Sequence, residues 1–223
     1  MAIYRGYTSV PHSTYDEWRN TTNGNGYDVD YSYGSQCWDF ASLFWWNVGF
    51  PTGYPLISSS SAYTMWDLRD QNIAYNGVTY FDLVYNLEDV KRGDIIVYTF
   101  TSSNIFGHVG FADEDYATWH ANHPGDYEFP ILSENNGGIL DPQGGACANI
   151  HGYDTRLFRG AFRYKGWETT PPTPPTEHRE HHFPWVLYER KLRDNAVARS
   201  HQCKLGQNVR GDQKRNAHFA VQA

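Results

Sequence analysis

The run Asp28-Val-Asp-Tyr-Ser-Tyr-Gly-Ser-Gln-Cys-Trp-Asp39, continued by Phe40-Ala-Ser-Leu-Phe-Trp-Trp-Asn-Val48, joins an oxygen-rich loop to an apolar segment. Phe40, Phe44, Trp45 and Val48 recur at i, i+4, i+5 and i+8, which is the spacing of one buried helical face. The sequence therefore predicts a helix over residues 37–48, with Cys37 at its first turn. From residue 78 onward the texture changes to short β-rich runs: Val78–Val84, Asp94–Phe100, His108–Ala112, Ile131–Ser133 and Leu157–Tyr164. Gly, Asn, Asp and Pro clusters separate them, as in an antiparallel meander. A helix followed by strands, without regular alternation, predicts an α+β domain.

The rest of the chain bounds that domain. It has 223 residues, 40% of them hydrophobic and only 19% charged, with 8 Trp, 17 Tyr and 12 Phe. This is material for a real core and argues against disorder across most of the chain. At Thr169-Thr-Pro-Pro-Thr-Pro-Pro-Thr176, four of the eleven prolines fall within five residues, a composition that favours extended polyproline II. The charge divides at the same place. Residues 1–167 hold 9 basic and 19 acidic side chains, whereas 168–223 hold 9 and 6, for a total of -7. The expected organisation is a folded domain over 1–166, a Pro/Thr-rich linker over 167–177, and a basic tail over 178–223. The tail offers one short helical pattern near Trp185–Ala196 and is too short and polar to fold alone. Its His178, His181, His182 and Cys203 match no standard zinc spacing.

Several classes are excluded or disfavoured. No window holds about 18 consecutive apolar residues, so no membrane-spanning helix is expected. The N-terminal MAIYRGYTSV lacks a basic start followed by an apolar run, so no Sec-type signal is expected. The acidic balance argues against nucleic-acid partners. Three cysteines, Cys37, Cys147 and Cys203, form no disulfide framework, and free thiols are expected.

In the loop, oxygen-bearing side chains stand at relative positions 1 (Asp28), 3 (Asp30), 5 (Ser32) and 12 (Asp39), and Gly34 at position 7 offers a carbonyl. A hard cation such as Ca²⁺ takes six to eight such oxygens from this spacing in an EF-hand loop, although Tyr33 here replaces the usual glycine. The competing reading is an Asx-turn that merely caps the following helix. Cys37 likewise has two readings. It is either a buried inert thiol or a nucleophile whose thiolate a helix N-terminus would stabilise. A nucleophile needs a base and the base an orienter. Among ten histidines, His108 stands out in Phe106-Gly-His-Val-Gly-Phe111, because it opens a strand just after a turn. Ile131-Leu-Ser-Glu-Asn-Asn-Gly-Gly138 supplies Glu134 and Asn136 as orienting groups, and the Gln36 amide could hold an oxyanion.

Four motifs in order, Tyr33-Gly-Ser-Gln-Cys-Trp-Asp39, Gly93-Asp-Ile-Ile-Val-Tyr98, Gly107-His-Val-Gly110 and Leu132-Ser-Glu-Asn-Asn136, resemble the CHAP family of cysteine- and histidine-dependent amidohydrolases and peptidases, in particular phage endolysins. The resemblance spans most of residues 10–165. It implies a papain-like α+β fold with the nucleophile helix on an antiparallel sheet. It further implies Cys37 as nucleophile, His108 as base, Glu134 as orienter, Gln36 as oxyanion contributor and Asn136 as the polar residue after the acid. A second register of the last motif puts Ser133 in the acid's place and Glu134 in the middle position. The resemblance also implies structural Ca²⁺ at Asp28, Asp30, Ser32, Gly34 and Asp39. The expected substrate is bacterial peptidoglycan of Gram-positive type, cut at a wall-peptide or muramoyl–alanine amide. A monomer held in the host cytoplasm until release is expected, with neither nucleic acid nor membrane insertion involved. A virion-associated hydrolase and a non-catalytic calcium-stabilised wall-binding module are the alternatives. Trp66, Trp119 and Tyr127 are groove candidates.

Overall fold

A computed structural model describes residues 1–167. Its elements in chain order are β1 (Ile3–Arg5), α1 (Tyr15–Thr22), β2 (Gly26–Asp28), α2 (Cys37–Asn47), α3 (Arg69–Asn72), β3 (Ala74–Tyr75), β4 (Val78–Thr79), β5 (Phe81–Val84), β6 (Ile95–Tyr98), β7 (His108–Ala112), α4 (Tyr116–Asn122), β8 (Glu128–Ser133), β9 (Asn149–Asp154) and β10 (Phe158–Tyr164). The α+β expectation holds, and α2 begins at Cys37 as its pattern predicted.

The main sheet has six strands in the order β5-β10-β6-β7-β8-β9, with antiparallel pairing throughout. A meander describes only β6 to β9. The last strand, β10, returns to lie between β5 and β6, a long-range pairing that turn signals do not reveal. Strand β9 and the N-terminal parallel pair β1–β2 were not expected. Both are short or half-exposed, with little alternation to read. Helix α1 was also missed, although Thr14 and Glu17 carry the capping signature. Thr14 Oγ1 accepts from the Glu17 N–H, and Glu17 Oε2 accepts from the Ser13 N–H.

One face of the sheet packs against α2, whose Phe40, Leu43, Phe44 and Trp45 are fully buried. Phe44 meets Trp18 of α1 at 5.0 Å and Phe111 of β7 at 5.2 Å, while Trp45 stacks on Phe81 at 4.4 Å. Each such ring contributes roughly 1.5–3 kcal/mol by leaving water. This aromatic packing holds the N-terminal end of α2 against the start of β7. The opposite face carries a second core of Ile96, Tyr98, Tyr116, Trp119, Phe129 and Ile131. Trp66 and Trp119 are therefore core residues rather than groove walls, and only Tyr127 of the three is exposed. Trp167, expected at the head of the linker, belongs to the body. Its ring lies 5.0 Å from Phe44, and its indole N–H donates to the His12 carbonyl. The rest of the linker and the tail, with Cys203, lie outside the described residues. No helix among the described residues is long and apolar enough to cross a membrane.

Candidate active site

The loop from β2 to α2 brings Asp28, Asp30 and Asp39 together, with one carboxylate oxygen of each within 4.8 Å of the others. Asp28 and Asp39 are buried, and Asp30 is exposed. The Ser32 N–H donates to Asp28 Oδ1 at 3.1 Å and to Asp30 Oδ1 at 2.8 Å. Asp39 accepts from the Val29 and Gln36 N–H groups, both at 3.2 Å. Burial, with Asp30 and Asp28 adding to it, pushes the Asp39 carboxyl up to about 8. Three carboxylates in this space, two of them buried, suit a hard divalent cation, so the donor chemistry fits Ca²⁺. Tyr31 and Tyr33 hold left-handed backbone conformations, at φ 64° and 65°. Such conformations cost of order 1–3 kcal/mol each and persist where surrounding structure imposes them. Gly34, also left-handed, presses its backbone against Gly144, leaving no space for a Cβ.

A cation of the protein's own already reaches this loop. The β1–β2 register sets Arg5 opposite Asp28, and its guanidinium bonds Asp28 Oδ2 at 3.0 Å. The same guanidinium grips both oxygens of Asp141 at 2.6 Å. Asp141 in turn accepts from the Ser35 N–H and hydroxyl, at 3.1 and 2.8 Å. The Arg5 contact holds the Asp141 carboxyl well below the usual range. Sequence inspection misses this clasp because Arg5 and Asp141 are 136 residues apart.

Cys37 stands half-buried at the start of α2. Its thiol lies against the backbone of Val109, the residue after His108. Burial, with smaller contributions from Asp39 and Glu134, pushes the thiol up to about 12. The helix terminus alone therefore does not make a thiolate here. Burial also presses the His108 imidazole down to about 3, so both partners rest neutral. Gly107 makes the turn into β7 at φ 69°, where a Cβ would fall 2.6 Å from the Tyr98 carbonyl oxygen.

The orienter differs from the expected one. His108 Nε2 lies 2.9 Å from Ser133 Oγ. Glu134, one residue past the end of β8, turns to β2 instead. Its Oε1 accepts from the Tyr27 N–H at 2.6 Å, and its Oε2 is buried without a partner among the described residues. Burial raises that carboxyl well above its ordinary value. The second register of the motif, with Ser133 at the acid's place, is the one realised in space. Gln36 is tied to its own loop, its amide donating to the Tyr33 carbonyl at 2.7 Å and accepting from Asn135 Nδ2 at 2.6 Å. Asn136 Nδ2 is buried and has no partner among the described residues.

Tyr153 on β9 was not foreseen. Its ring lies parallel to His108, with centroids 4.5 Å apart and planes at 13°. Burial raises its hydroxyl to about 12. A local alternation in Asn149–Asp154 was the one signal for that strand, and glycine interrupts it. A cavity of about 450 Å³ lined by Leu83, Tyr85, Glu88, Lys91 and Asp115 shares no residue with this site.

Comparison with known proteins agrees with the motifs. A D-alanyl-L-alanine endopeptidase of Streptococcus phage B30 is 32% identical over 133 residues, which is 56% of this chain and 25% of that protein. The chain thus spans about a quarter of the relative's length. The crystal structure of the wild-type endolysin LysIME-EF1 is similar with a TM-score of 0.48 and 18% identity, covering 68% of this chain and 64% of that one. The model of the CHAP domain matches residues 23–127, which run from the end of α1 past His108 and include the acidic loop, Cys37 and β7; that segment is similar to the CHAP domain.

Proposed function

We propose that the chain is a peptidoglycan hydrolase that cleaves an amide in the wall peptide of Gram-positive bacteria, acting at the cell wall. The observation carrying this reading is Cys37 at a helix N-terminus with its thiol on the backbone of Val109, one residue past His108, inside a segment that matches the CHAP domain. The similar phage protein is named a D-alanyl-L-alanine endopeptidase, so an alanyl–alanine bond is the first to test.

The chemistry is acyl transfer. Both reacting groups rest neutral, so the proton moves as the bond forms: His108 takes the Cys37 proton while sulfur attacks the amide carbonyl. The N–H of Cys37, free of intrahelical bonding at the first turn, stabilises the oxyanion. The imidazolium then protonates the leaving amine, and water, activated by the same His108, releases the acyl group. Exposed Phe100, Ile105 and Phe106 lead into His108, while Tyr33, Ile139 and Leu140 stand exposed in the loops around Ser35. They offer apolar flanks for alanine side chains of the wall peptide. Asp28, Asp30 and Asp39, with Ser32 and the Gly34 carbonyl, would hold Ca²⁺. When bound, it supplies charge neutralisation and stiffens the entry to α2.

Mass spectrometry of fragments released from purified streptococcal-type peptidoglycan, with C37A in parallel, tests the reading. New peptide termini are expected with the parent and none with C37A. Binding without cleavage by both proteins would replace the hydrolase reading with a wall-binding one.

A further inference from the structure

The expected carboxylate is absent from the side of His108, and what stands there is a row of neutral groups. Ser133 Oγ lies 2.9 Å from Nε2, and the Tyr153 ring covers one face of the imidazole. Ser133 pairs directly with Asn149 across β8 and β9, so their side chains share a sheet face at neighbouring positions. Asn149 Oδ1 is buried with no partner among the described residues. An orphaned buried acceptor is costly, and a hydroxyl proton from the residue opposite would satisfy it.

We propose that Ser133 is the positioning residue of the hydrolytic site, with Asn149 behind it and Tyr153 on the ring face, and that this neutral chain replaces the carboxylate of a Cys-His-acid arrangement. His108 Nε2–H donates to Ser133 Oγ, whose own proton is then free to turn toward Asn149, the side chain opposite it on β9, whose Oδ1 has no partner among the described residues. The Nε2-protonated tautomer leaves Nδ1 as the ring atom that takes the Cys37 proton. A serine hydroxyl has room there because Gly110, beside it on β7, has no side chain; a Cβ would sit 2.9 Å from that of Ser133. The chain explains why Glu134 can turn away to the Tyr27 N–H without leaving the base unheld. It works by geometry and tautomer choice. It adds no charge to stabilise an imidazolium, which fits a buried imidazole flanked by Tyr98 and Tyr153. The nearest acids acting on those tyrosines are Asp154 and Glu128.

This inference rests on the hydrolase reading for its kinetic consequence, but its structural half stands apart from it. In the parent protein, long-range ¹H–¹⁵N spectra of labelled histidine, assigned by loss of the signal in His108→Gln, should show the Nε2–H tautomer at neutral pH. In Ser133→Ala the signal should move toward a tautomer mixture. Loss of one orienting hydrogen bond should lower kcat roughly tenfold while KM stays within about twofold. An Nδ1–H tautomer in the parent overturns the proposal. So does a Ser133→Ala protein with parental kcat beside a Glu134→Gln protein that no longer turns over. If the parent releases no fragments at all, the hydrolase reading fails while the tautomer still decides the positioning chain.

Discussion

The phenol ring of Tyr153 lies flat on the imidazole of His108, 4.5 Å away, and thereby fixes the plane of the ring. Tyr98 stands beside both rings, 4.4 Å from Tyr153 and 6.5 Å from His108. An aromatic pair of this kind is worth about 0.5–1.5 kcal/mol beyond its buried area. Tyr153→Phe should keep most wall-hydrolysing activity, because it keeps the ring. Tyr153→Ala should lose roughly five- to tenfold in kcat. Equal activity in the two variants would show that the stacking does not position the base.

The same burial makes His108 a pH sensor of stability. Its imidazole titrates near 3 when folded, against about 6.5 when unfolded. Between those values the unfolded chain binds the extra proton, so stability is full above about pH 6.5 and falls as pH drops towards 3. Urea midpoints of the parent and of His108→Gln, measured from pH 7 to pH 4, should converge on the acid side, by up to about 1.4 kcal/mol per pH unit. Parallel curves would place the imidazole in water.

The Arg5–Asp141 clasp ties the N-terminal strand to the loop that covers Ser35. Both Asp141 oxygens are buried and Arg5 is 24% exposed, so breaking the pair costs somewhat less than a fully buried one. Arg5→Ala should destabilise by roughly 2–3 kcal/mol at neutral pH. Asp141 has its carboxyl lowered, so its contribution is complete above about pH 4 and fades below that as the folded carboxyl protonates. Denaturation of the variant and parent at pH 7 and pH 3 should show the gap narrowing at the acid end.

Calcium should raise the melting temperature of the parent, since a ligand at a hundredfold excess over its Kd adds about 2.7 kcal/mol. Asp30→Asn removes an exposed carboxylate from the cluster without emptying a buried site, and it should weaken calcium binding in titration calorimetry at least tenfold. A thermal shift identical in the parent and in this variant would leave the acidic loop as a helix cap alone.

Local chemistry was enough to read α2, the start of β7 and the clustering of carboxylates in the acidic loop. Helical spacing, turn glycines and oxygen spacing are properties of neighbours in the chain, and they survive without knowledge of the fold. The partner of His108 was not legible in that way. Ser133 and Glu134 are adjacent, both polar, and both plausible from the motif. Only the pairing of β8 with β7 and β9 decides which one faces the imidazole, because a one-residue shift sends a side chain to the other face of a sheet. Tyr153 and the Arg5–Asp141 clasp were hidden for the same reason: their partners are tens of residues distant and become neighbours through strand order alone. The sequence by itself determined what chemistry this protein carries, and the tertiary structure decided which neighbours hold that chemistry in place.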